Sequence, residues 1–427
     1  MFTRVTFLLS TVCTLAGTLS AQDYVEISTG ANYSQQSYVN IDDGTQKQIN
    51  ATTWDLAFNV TSGFSAGVLI NESAGLDPQT SGGAIFYDAR TTDFDAVLNV
   101  DSIVKHQIYN PDADWNIGAL NALADPNNPF DQGWGDYNPA THEITGTRVF
   151  VVKLRDGSFR KFRILSLIQG NFAIEYATLD NNEPRSVTMD RKLYANQNFA
   201  YFSFTTGEFS HFDIGKDYDM SYQRYITIVE NPDKPGDFQE YNVTGVLTAP
   251  GVKAVKISDV DPGTVKLDDY KDKFSSDPQT VGYDWKYFDG TTFSIVPNRS
   301  YLVQTKANGV YKIVFIDFEG ASTGNAVFEK TYLGALAVAK GSTSELSFLA
   351  SPNPATTELT LALNAQSEED AELRISDFTG KIIYQQKVKL QSGLNGLSVN
   401  TSRIPAGSYV VSVLQRQSVA SQRVVIQ

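Results

Sequence analysis

Apolar and polar side chains alternate with a period of two along most of this chain, in short runs broken by Gly, Asn, Asp and Pro. In TTWDLAFNVTS the alternation sets Trp54, Leu56 and Phe58 on one face, and in DYDMSYQRY it sets Tyr218, Met220 and Tyr222 on one face. Successive side chains of a strand point to opposite faces, so such runs predict strands buried on one side. Val149 to Leu167, VFVVKLRDGSFRKFRILSL, reads as a hairpin with a two-residue turn. Helix signatures are scarce, and an antiparallel all-β protein is expected.

The hairpin returns 151 positions later as SYLVQTKANGVYKIVFIDF, Ser300 to Phe318. The same spacing relates Trp134 to Trp285, Arg148 to Arg299, Phe150 to Tyr301, Lys161 to Lys312 and Ile164 to Phe315. Upstream, Trp54 matches Tyr218 at a spacing of 164, and YVEISTG from Tyr24 matches YFSFTTG from Tyr201 at 177. Downstream, GNFAIEY and GNAVFEK supply a closing strand to each copy. Two tandem β-domains, residues 22–199 and 200–335, are therefore expected, with their tryptophans buried at equivalent places. The small polar stretch 336–347 reads as a protease-sensitive linker. Residues 348–427 read as a β-sandwich of seven short strands.

Composition sharpens this picture. Of 427 residues 12% are aromatic and 31 are glycine, which favours strands and turns. The net charge of −14 gives no electrostatic footprint for nucleic acid. Residues 1–21 read as a secretion signal: Arg4, an apolar run, and cleavage after Ser20 or Ala21. No later stretch is long enough for a spanning helix. Cys13, within the signal, is the one cysteine, so the mature chain would hold no disulfide, thiolate metal site or cysteine nucleophile. No G-x-S-x-G elbow occurs, and three histidines leave little room for a catalytic triad, so no enzyme is expected. The acidic stretches DVDPG (Asp259 to Gly263) and NPDAD (Asn110 to Asp114) lack the Gly and distal Glu of an EF-hand loop and read as turns.

Pro352-Asn353-Pro354, Asp377 with Gly380-Lys381, Pro405-Ala406-Gly407 with Tyr409, and the strand Arg423 to Ile426 closely resemble the type A C-terminal sorting domain of the type IX secretion system. That resemblance implies handling by the type IX machinery and delivery to the outer cell surface. The repeated units resemble the HmuY-like haem-binding family. Trp54-Asp55-Leu56-Ala57-Phe58, Gly133-Trp134 and RVFVVKLRDG carry the likeness in the first unit; KDYDMSYQRY, NRSYLVQTKANGVYKIVFIDF and AVFEKTY carry it in the second. It implies a compact antiparallel β-protein holding one haem between loops by two axial side chains.

The family places one ligand before the Gly-Trp turn and one after it, and His106 and His142 fall in those regions. They are the candidate haem ligands, with Lys105, Arg148 and Lys153 the cations nearest in sequence for the propionates. The second unit has no histidine after His211, so haem is expected on the first unit alone. Met220 reads as core and Met189 as a contact between the copies. The implied function is surface capture of haem or another tetrapyrrole for iron acquisition. The alternative is a structural or adhesive surface protein without a cofactor, and His106 and His142 decide between them.

Overall fold

A computed structural model describes residues 23–336 and 348–427, apart from short segments at 62–64, 75–82, 113, 232–233, 366–367, 378–380, 392 and 416–417. The expected signal, Cys13 and nearly all of the linker lie outside the described residues. The architecture is antiparallel all-β, with one four-residue α-helix, Val100–Ile103, among the described residues.

The chain opens with β1 (Asp23–Ser28), β2 (Gln35–Val39) and β3 (Gln46–Asn50). There follow β4 (Leu56–Asn59), β5 (Val68–Ile70), β6 (Ile85–Asp88), β7 (Gly135–Asn138), β8 (Glu143–Gly146), β9 (Phe150–Lys153), β10 (Phe159–Ile168), β11 (Asn171–Ala177), β12 (Arg185–Thr188), β13 (Phe199–Ser203) and β14 (Glu208–Ser210). The last eight before the linker are β15 (Met220–Glu230), β16 (Phe238–Thr248), β17 (Lys253–Ile257), β18 (Lys286–Phe288), β19 (Phe293–Ile295), β20 (Ser300–Gln304), β21 (Gly309–Phe318) and β22 (Asn325–Ala335).

The two hairpins share one ladder register. Phe150 faces Phe162 and Tyr301 faces Ile313, and all four residue pairs of β9–β10 recur in β20–β21 at a spacing of 151. A bulge interrupts β10 between Ile164 and Ser166, and β21 carries one between Phe315 and Asp317, at the same spacing. Lys161 donates to the Ala96 carbonyl and Lys312 to that of Pro262; Arg148 pairs with Asp131 and Arg299 with Asp284. Trp134 and Trp285 are both fully buried.

The expected boundary at 199/200 does not hold. β1 pairs with β22 and β2 with β15, so residues 23–50 belong to the sheets of the second half. The first body consists of β4 to β14, in which β13 lies on β4 and β12 on β11. Position for position, Tyr38 takes the place in the second body that Tyr201 takes in the first: Tyr38 faces Ser221 and Tyr201 faces Ala57. The YVEISTG strand corresponds instead to β12, because Val25 faces Phe328 as Val187 faces Ile174. The match of Tyr24 to Tyr201 at 177 is thus corrected to Tyr38 at 163. Two alternating strands look alike to a period of two, and only the ladder tells them apart. Each body closes two sheets over its own core, Leu56 to Phe204 in the first, and Ile27 to Ile41 with Tyr218 to Phe328 in the second.

One difference between the copies has a measurable consequence. The Trp134 indole N–H donates to the Ala66 carbonyl at 2.9 Å, whereas the Trp285 N–H has no partner among the described residues. Trp285 stacks on Phe315 at 4.0 Å, with the Lys286 ammonium 4.0 Å above its ring. Trp134→Phe gives up a buried hydrogen bond, although the Ala66 carbonyl keeps the Asn121 amide at 2.9 Å, and Trp285→Phe gives up none, so the first change should cost about 1 kcal/mol more, read from the two denaturant midpoints.

Residues 348–427 form a separate small β-sandwich of a three-stranded and a four-stranded sheet around a core that includes Leu359, Leu373, Val411 and Val424. The expected seven strands are present.

Candidate functional site

His106 follows the short helix at the edge of the first body. Its carbonyl accepts from the Asp88 N–H at 2.9 Å, and its side chain is exposed. His142 sits at the β7–β8 turn with φ 60°, half-buried, its Nδ1 2.8 Å from the Tyr137 hydroxyl. With Tyr137 engaging Nδ1, Nε2 is the nitrogen left to bind a metal.

The ladder does not bring the two histidines together. Asp88 faces Phe150, which faces Phe162, whereas the β8 residue Ile144 faces Leu167, near the far end of β10. His142 lies two residues beyond Ile144, so some six residue steps, about 20 Å, separate it from His106 along the strand direction. Two axial nitrogens on one iron lie about 4 Å apart, at roughly 2 Å per metal–nitrogen bond. The pair therefore does not fit as opposite ligands of one haem in this arrangement.

The other candidates fall as follows. His211 is exposed, its ring edge-on to Tyr194. Met220 is core of the second body, as expected. Met189 is core of the first rather than a contact between copies. Arg148 is already paired with Asp131. Trp134 and Tyr137 are core. Asp261 caps a short turn by accepting from the Gly263 N–H. Asp112 accepts from Thr227 and Gln279.

Two charged sites escape the sequence reading. Asp55 is wholly buried and forms a salt bridge with Arg155, while its other oxygen accepts from the Phe204 N–H at 2.7 Å. Its counterpart Asp219 accepts from the Ile41 N–H at 2.8 Å, and Lys306 stands where Arg155 stands in the first body. Burial pushes the Asp219 carboxyl up to about 6. The spacing of 151 carries Arg155 onto Lys306, so this pairing could have been found from the hairpins. The second site is Glu72, an acid inside the apolar run GVLINESAGL. Its oxygens accept from the Asn110 N–H in the first body and from the Ile226 N–H in the second, at 2.8 and 3.0 Å. Burial raises its carboxyl to about 7.

These two carboxyls set a pH dependence. A folded pKa above the unfolded value near 4 means that the folded state binds the proton more tightly, so stability grows as pH falls from about 7 toward 4. Rises to about 7 and about 6 correspond to roughly 3–4 kcal/mol each at most. Lys286, lowered to about 7 by burial, works the other way above that pH, where the unfolded chain binds its proton and the folded chain does not, and it stops offsetting the trend once pH is well below 7. The melting temperature should therefore rise between pH 7 and pH 5, and Glu72→Gln should flatten the rise. An unchanged slope in the variant would remove Glu72 as a cause.

Residues 32–179 match the family model described as HmuY protein, and residues 350–427 match the secretion system C-terminal sorting domain. No curated protein matches the chain. The chain thus carries an HmuY-like region and a type IX sorting domain, which sends it to the cell surface or beyond. No helix among the described residues is long and apolar enough to cross a membrane.

Proposed function

We propose that this is a non-catalytic surface binding protein for iron acquisition that takes a haem-type tetrapyrrole on its first body. The match of residues 32–179 to the HmuY model supports this reading. We extend the HmuY-like description to both bodies, because they share one ladder register. His142 is the favoured iron donor, its ring already held through Nδ1 by Tyr137. His106 joins as second ligand only if its exposed loop moves across the sheet.

Titrating haemin into the secreted chain should give a Soret shift that His142→Ala abolishes. A high-spin, five-coordinate spectrum goes with His142 alone; a low-spin spectrum lost in His106→Ala restores the paired assignment. No shift at any ratio rejects haem. It would leave the second reading, a cofactor-free structural or adhesive protein, favoured already by the separation of the two histidines and by exposed Ile228, Phe238 and Tyr241 on the long β15–β16 hairpin.

A further inference from the structure

The two bodies meet through equivalent faces. Trp54 and Tyr201 of the first, and their counterparts Tyr218 and Tyr38 of the second, line one partly enclosed cavity of about 70 Å³. Its polar lining includes Glu72, Asp112 and Asp114 with Gln36, Gln223 and Gln279, and among the described residues no Lys, Arg or His lines it. Tyr225, also in the wall, is 3% exposed, and its buried hydroxyl has no hydrogen-bond partner among the described residues.

We infer that this seam is a binding site for a small organic cation bearing N–H donors, a guanidinium or primary ammonium group. The size excludes a tetrapyrrole: an apolar cavity of about 150 Å³ takes benzene, so this one holds a handful of atoms. The sign of the lining excludes anions, since nothing there neutralises a negative charge. The oxygens that face inward are acceptors with capacity to spare. Glu72 uses two backbone N–H groups, and Asp112 accepts one Thr227 hydroxyl and one Gln279 amide, leaving lone pairs on both carboxylates. Leaving the Tyr225 hydroxyl unpaired is costly in a buried place, and a ligand N–H would satisfy its oxygen. Trp54 and Trp115 provide flat faces on which a guanidinium stacks. The Trp54 N–H already donates to Gln36 and that of Trp115 to the Thr248 carbonyl, so both rings are held in place.

Methylguanidinium and its neutral isostere methylurea, titrated at millimolar concentration into the full secreted chain, test the inference by calorimetry and tryptophan emission. Methylguanidinium should saturate with a change in emission. Methylurea should bind at least about tenfold more weakly, a difference of about 1.4 kcal/mol. Tyr225→Phe and Glu72→Gln should each weaken methylguanidinium several-fold, with melting curves confirming that the variants fold. Equal affinity for the two probes, no saturable response, or unchanged affinity in both folded variants overturns it. If neither variant folds, the comparison of the two probes on the unaltered chain decides alone.

Discussion

A chain beginning after residue 50 should keep its first body and lose its second. β1 forms a six-pair ladder with β22, and β2 is the strand that continues the second body's other sheet beyond β15. Removing them strips Ile27, Tyr38, Val39 and Ile41 from the core and bares the flanks of β22 and β15. Burying one such side chain contributes roughly 1.5–3 kcal/mol, and whole domains are stable by only 5–15 kcal/mol, so losing four exhausts the margin. Among β4 to β14 no strand pairs with β1, β2 or β3, so that ladder remains whole. Hydrogen exchange followed by mass spectrometry should show residues 218–335 unprotected and residues 56–203 still protected. Retained protection across β20 to β22 would mean that the N-terminal strands are accessory.

Arg155→Ala should be the most damaging single substitution in the first body, by about 3–5 kcal/mol, because it strands the wholly buried Asp55 carboxylate without its charged partner. Arg155 also donates to the Trp54 carbonyl at 2.9 Å, so one guanidinium serves a charge and a backbone acceptor together. Asp55→Asn combined with Arg155→Ala should recover part of the loss, since no buried charge is then left unpaired. Equilibrium urea unfolding of the single and double variants measures the coupling. Arg155→Lys should recover less, and the second body shows why. There Lys306 donates to the Lys216 carbonyl, and burial raises Asp219 to about 6. If Arg155→Ala cost under 1 kcal/mol, Asp55 would have to be satisfied by its backbone donor alone.

Much of the fold was legible in the sequence. The two hairpins, the paired tryptophans and the closing strands follow from alternation and constant spacing, because loops shorten while a ladder register does not; the sorting domain follows from its resemblance to a known family. The chain order of the bodies was not legible. Period two says that Tyr24 to Ser28 is a strand, but pairing is decided by partners some 300 residues away, such as Val25 with Phe328. The site was legible by region only. His106 and His142 fall where the resemblance puts them, yet their separation depends on which stretch of β10 each neighbouring strand meets. Glu72 was signalled by its apolar surroundings, and Tyr225 by nothing, since an aromatic residue in an alternating strand looks like core.

The exchange of the N-terminal strands also sets a clock. The segment that emerges first from any pore is the one whose partners emerge last, because Asp23 waits for Lys330. In between, β4 to β14 can complete the first body, while β1 to β3 stay open with unpaired edges exposed to other chains. Contacts of such long sequence separation slow folding, and open edges invite mispairing during the delay. The second body therefore cannot close until almost the whole stretch ahead of the linker has come through, and a chain stalled partway is held open at its own beginning.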